Sequence, residues 1–96
     1  MANRYEEVLK EYGLSENEVR VYVATLKAGE SSVQKIAKNA GLPRTTTYHL
    51  LESLLQKALV SFVIKEKIKW FQAVAPKRLI ENIDDKKRRL QEIVPD

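Results

Sequence analysis

Ninety-six residues, 44% hydrophobic and 31% charged, allow one soluble globular domain with a modest core and exclude two independent ones. With no cysteine, disulfide frameworks and thiolate metal sites are excluded, so packing alone must hold the chain together. The net charge of +4 is unevenly spread: residues 1–30 carry six acidic against four basic side chains, residues 31–60 one against four, and residues 61–96 six against nine.

Tyr5, Val8, Leu9 and Tyr12 recur at helical spacing and predict a short amphipathic helix that Gly13 stops. Ser15-Glu16-Asn17-Glu18 is a capping box, from which Val19, Tyr22, Val23 and Leu26 carry a second helix to Gly29. Ser31-Ser32-Val33-Gln34 offers another capping box for a third helix with Val33, Ile36, Ala37 and Ala40 on its apolar face. The alanines permit close approach of a crossing helix. Gly41-Leu42-Pro43 then forms a turn, and a fourth helix spans about residues 43–57, with Pro43 in its first turn.

Residues 59–64 and 68–73 are rich in β-branched and aromatic side chains and predict a hairpin closed by the charged loop Lys65-Glu66-Lys67. Val74-Ala75-Pro76 ends it and opens a last helix over residues 77–94. The expected fold is α+β: a winged helix-turn-helix with a three-helix core, a β-hairpin wing, and added N-terminal and C-terminal helices. Residues 1–96 form a single domain in this reading, 1–76 the core with its wing and 77–96 a C-terminal dimerisation helix.

The run YGLSENEVRVYVATLKAGESSVQKIAKNAGLPRTTTYHLLESLLQKALV and the exit FQAVAPKRLIENI cover most of residues 12–83. Their order of glycine stop, capped helix, Gly-Leu-Pro-Arg turn and tyrosine-bearing helix resembles the DNA-binding domain of the TrmB-like family of archaeal and bacterial transcriptional regulators. The resemblance implies a winged-helix fold, duplex DNA as ligand and a dimer as the working unit. Ala58 departs from it, standing where relatives usually carry a glycine, so either a left-handed cap there is strained by on the order of 1 kcal/mol or the helix ends differently. Larger members also carry a C-terminal effector domain that senses sugars; the chain stops at Asp96, so no small-molecule effector domain is expected in it.

On a helical wheel Thr47, Leu50, Leu51, Leu54 and Leu55 of the fourth helix form a core stripe, with Thr45, Thr46, His49, Glu52, Ser53 and Gln56 opposite. Only the first turns of such a helix reach base edges, which points to Arg44, Thr45, Thr46 and His49 as DNA readers. Tyr48 falls at the edge of the stripe, suited to packing with its hydroxyl free for phosphate. His49 is the only histidine and has no ligand set around it, so no metal is expected. Lys65, Lys67 and Lys69 suit the phosphate backbone, although lysines also protect solvent-exposed sheet edges. Ser31 and Ser32 at the start of the third helix, and Lys35 and Lys38 on its polar side, are further phosphate candidates, although capping alone already explains the serines. Trp70 alternates away from Phe71 and Ala73, and its role stays open between packing, dimer contact and DNA.

Leu79, Ile83, Leu90 and Ile93 follow an a/d spacing interrupted by Lys86, too short for an independent coiled coil. A homodimer built jointly from this helix and from Tyr5 and Leu9 of the first is expected. Lys86-Lys87-Arg88-Arg89 reads as a nucleic-acid patch or as cations paired with Asp84 and Asp85 four residues earlier; the paired reading is favoured. No nucleophile-base pair, metal cluster or phosphate-cradling glycine loop is visible, so neither an enzyme nor a cofactor is expected. The longest nearly apolar run, residues 58–64, is far short of the roughly 20 residues of a membrane span, and MANRYEE is acidic where a signal peptide would be apolar. These features lead to a cytoplasmic, nucleoid-associated regulator of double-stranded DNA with no membrane partner. The rival readings are a protein-protein adaptor and a chromatin-like protein that coats duplex without sequence preference.

Overall fold

The computed structural model describes residues 4–94. Its elements are α1 (Arg4–Glu11), α2 (Glu16–Ala28), α3 (Val33–Ala40), α4 (Arg44–Gln56), β1 (Val60–Lys65), β2 (Ile68–Ala73) and α5 (Pro76–Ile93). The fold is the expected α+β winged helix-turn-helix, with β1 and β2 as an antiparallel hairpin.

Local chemistry fixes most element ends. The Glu18 amide donates to Ser15 Oγ at 3.1 Å and the Ser15 amide to Glu18 Oε1 at 2.9 Å, closing the capping box that starts α2. The buried face differs from the sequence stripe: Val21, Ala24 and Thr25 are covered with Val19 and Tyr22, whereas Val23 is half-buried and Leu26 exposed. It packs against α1, α3, α4 and β2 and so has little free face.

The start of α3 differs from expectation. Ser32, not Ser31, is the cap, its Oγ accepting from the Lys35 amide at 3.4 Å. Ser31 is buried and exchanges two backbone hydrogen bonds with Phe71, at 2.9 and 2.8 Å, as a one-residue third strand beside β2. The Ser31 hydroxyl turns back to donate to the Ala28 carbonyl at 3.4 Å, and its own carbonyl accepts from Phe71, while the first intrahelical bond of α3 goes to the Ser32 carbonyl.

Gly41 ends α3 at φ +70°, where a Cβ would stand 3.2 Å from Arg20 Nη2. Arg20 Nη2 donates to the Ala40 carbonyl at 2.7 Å, a cation placed where the dipole of α3 favours one. Pro43 lies just outside α4 as its cap, with extended ψ of 149°, rather than inside the first turn.

At the far end of α4, Ala58 takes φ +62°, so the left-handed closure is made without glycine. The Leu59 amide bonds the Leu54 carbonyl at 2.9 Å across it, the closing bond of a Schellman turn. The wing turn is tighter than the expected three residues. Lys65 pairs with Ile68, leaving only Glu66 and Lys67, at φ +52° and +68°. Two successive left-handed residues are what a two-residue hairpin with native twist requires.

Tyr22, Phe71, Ile36, Leu51, Leu54 and Leu59 are fully buried and join helices to wing in one core. Tyr22 Oη donates to the Val74 carbonyl at 2.6 Å, pinning the exit from β2 to α2. α5 then leaves the body: Leu79 is buried, whereas Ile80, Leu90 and Ile93 are exposed. Lys86, expected to interrupt an apolar seam, instead donates to Tyr12 Oη at 3.1 Å and ties α5 back to α1. The ion pair on α5 is Asp85 with Arg88 at 3.9 Å, three residues apart rather than the expected four.

Candidate nucleic-acid interface

The first turns of α4 project from the core because Thr47 and Leu51 anchor them from below. Thr47 is buried and its hydroxyl donates to the Pro43 carbonyl at 2.9 Å, satisfying a polar group that would otherwise be costly inside. Arg44, Thr45, Thr46 and His49 consequently stand in solvent. His49 Nδ1 lies 3.5 Å from Glu52 Oε1, and among the described residues no cluster of three potential metal ligands occurs.

A cleft of about 670 Å³ runs between the starts of α3 and α4 and the wing. It gathers Ser32, Arg44, Thr45, Tyr48, Lys67 and Lys69, six residues that sequence reasoning assigned to DNA from three separate elements. Thr46 and His49 are not in this cleft; they lie on the exposed surface of α4. Lys35 and Lys38 are exposed on α3.

Two wing lysines are engaged within the chain. Lys69 Nζ sits 4.7 Å above the Phe62 ring and 5.7 Å from the Tyr48 ring centre, with Tyr48 Oη 3.4 Å away. Tyr48 is thereby half-buried, its ring held between core and cleft. Lys65 pairs with Glu30, so of the three wing lysines Lys67 is the one presented on the left-handed turn without a protein partner among the described residues.

Trp70, which the sequence left unassigned, lines the same cleft. Its Nε1 is buried without a hydrogen-bond partner. The alternation along β2 indicated only that Trp70 faces away from Phe71.

A second feature missed by sequence reasoning fixes the other end of α4. Glu18 accepts from Lys57 Nζ at 2.8 and 3.0 Å and from Ser53 Oγ at 2.7 Å, in addition to its own helix start. Ser53, expected on the open face of α4, is instead half-buried in this contact. Burial pushes the Glu18 carboxyl up, but hydrogen bonds from Lys57, the Ser15 amide and Ser53, with the Lys57 charge, outweigh it and bring its pKa from 4.5 to about 2.

Sharing no lining residue with the cleft beside the wing, an apolar groove of about 600 Å³ opens between α1 and α5, lined by Val8, Tyr12, Leu59, Pro76 and Ile80. Leu9 and Leu79, expected at a dimer contact, form its floor and are already buried in the chain's own core. Leu90 and Ile93 are 63% and 75% exposed. The expectations for Tyr5 and Ile83 rest on side chains outside the described residues.

The family model described as sugar-specific transcriptional regulator TrmB matches residues 9–77. The HTH-type sugar sensing transcriptional regulator TrmBL1 of Pyrococcus furiosus is 36% identical over 55 residues, 57% of this chain. The solved structure of TrmBL2, an archaeal chromatin protein, superposes with a TM-score of 0.77 at 30% identity over 93% of this chain. The chain spans 16% of the length of TrmBL1 and 36% of that of TrmBL2. A MarR family protein from Bacillus stearothermophilus shares the fold at a TM-score of 0.64 and 23% identity, over 94% of this chain and 66% of its own. No helix among the described residues is long and apolar enough to cross a membrane.

Proposed function

We propose a function from one premise: the chain belongs to the TrmB family of transcriptional regulators, DNA-binding proteins of winged-helix type. It binds operator DNA as a homodimer, with the start of α4 in the major groove and the wing on the adjacent backbone. Arg44, Thr45, Thr46 and His49 meet base edges, Arg44 being able to take a guanine bidentately. Tyr48, Ser32, Lys35, Lys38 and Lys67 hold phosphates, and Lys65 and Lys69 join them once their present partners are exchanged. The observation that carries this reading is the convergence of Ser32, Arg44, Thr45, Tyr48 and Lys67 on one open cleft.

The dimer reading is supported by the groove between α1 and α5 and by the exposed Leu90 and Ile93, which match it in character. Two-fold symmetry then places half-sites of a pseudo-palindrome about one helical turn, roughly 34 Å, or a multiple apart.

A second reading, coating of duplex without sequence preference, is favoured by the likeness to TrmBL2, an archaeal chromatin protein. Selection from random duplexes, followed by salt titration on the selected and on scrambled DNA, separates the two. An operator binder prefers the selected duplex; a coating protein binds both alike. Failure to bind either overturns both.

A further inference from the structure

The two lengthwise edges of the wing are not equivalent. β2 is paired on both sides, with β1 along its length and with Ser31 at Phe71. β1 is paired only to β2 among the described residues, so its other edge is open.

The bonding pattern identifies which groups that edge presents. Phe71 directs its amide and carbonyl to Ser31, so the facing pair Phe62–Phe71 makes no ladder bonds between β1 and β2. Alternation along an antiparallel ladder then turns the amides and carbonyls of Phe62 and Ile64 outward from the sheet. These two residues and Val63 between them are apolar and open to solvent, Phe62 at 38%, Val63 at 47% and Ile64 at 63% exposure. The usual protections of an edge strand are weak here. No proline interrupts β1, and its single charge, Lys65, stands at the turn end of the strand and is paired with Glu30 in the free chain.

We infer that this edge is a contact between neighbouring copies of the chain on DNA: β1 of one copy pairs antiparallel with β1 of another. A register centred on Val63 sets Phe62 opposite Ile64 of the second copy, satisfying the outward groups of both, and sets Lys65 opposite Ser61, so no like charges meet. Val60 is buried, which leaves Phe62–Ile64 as the exposed apolar part of the strand. Three residues a side bury far less than the roughly 1,000 Å² of a stable interface, so the contact forms only between copies that one duplex already holds close. The inference rests on the DNA-binding reading and assigns to it lateral cooperativity.

The test compares the full chain on a short duplex that holds one dimer with a duplex several times longer, by fluorescence anisotropy and mobility shift. The long duplex should fill cooperatively, each bound neighbour tightening the next by about five- to tenfold. Ile64→Pro, which removes an outward amide without touching the β1–β2 ladder, should keep short-duplex affinity and abolish cooperativity. Ile64→Thr, which keeps the amide and trims the apolar side chain, should weaken cooperativity and guards against a folding defect in the proline variant. Short-duplex binding with independent filling of the long one, or cooperativity that survives both substitutions, overturns the edge contact while leaving the DNA reading intact. No binding to the short duplex overturns the DNA reading, and the edge contact with it.

Discussion

Lys57, just past the C-terminal end of α4, donates to both carboxylate oxygens of Glu18, at 2.8 and 3.0 Å, and so clamps α4 to the start of α2. The same carboxylate caps α2 and takes the Ser53 hydroxyl. One buried side chain therefore holds two helices in register.

Acid should expose this arrangement. The Glu18 pKa is lowered in the folded chain, from 4.5 to about 2, so its contribution is complete above the unfolded value and is lost as pH falls from about 4.5 through about 2. Urea midpoints measured from pH 7 to pH 2 should fall across that window. In Glu18→Gln the fall should be shallower, with stability at pH 7 lower by about 1–3 kcal/mol. An unchanged acid limb in the variant would show that Glu18 is not the group responsible.

Ala58 is in the left-handed region at φ +62°, where glycine has no steric penalty. Ala58→Gly should raise stability by on the order of 1 kcal/mol, because the strain outweighs the added freedom of the unfolded glycine. Thermal melts of the two chains under identical conditions decide the sign.

Arg44 and the wing lysines should separate in DNA titrations. Arg44→Ala should relax preference at one base position at a cost of about 1–3 kcal/mol, whereas Lys67→Ala should weaken all duplexes alike and reduce the salt slope by about one. Lys65→Ala should cost less than Lys67→Ala, since DNA must first displace Glu30. Intact base preference in Arg44→Ala would remove Arg44 from the reading residues.

Leu90→Glu with Ile93→Glu should convert a dimer to a monomer in light scattering and leave the monomer fold intact, because both side chains are exposed in the single chain. Leu79→Glu should instead unfold the chain, since Leu79 is buried in its core. If the double variant retains the dimer mass, the contact lies elsewhere.

Much of the fold was legible because its signals are local. The capping box at Ser15, the left-handed Gly41 and the alternating strands each declare themselves within a few residues. The exposed face at the start of α4 was legible for the same reason, since one helical stripe separates buried Thr47 from exposed Thr45 and Thr46. Long-range pairings were not legible. Ser31 spends its backbone on Phe71, Lys57 finds Glu18 across 39 residues, and Lys65 finds Glu30 across 35. Nothing in periodicity or capping encodes such meetings, which depend on how finished elements dock.

The bridge between Ser31 and Phe71 ties the wing to the start of α3 as one bracket, with Ser32 on one arm and Lys67 on the other. On the proposed DNA reading such a bracket would act as a caliper: grooves whose phosphate spacing matches it would be gripped without deformation, and others would have to bend or narrow to fit. The protein would then sort DNA by stiffness as well as by letters, including at base pairs that no side chain touches.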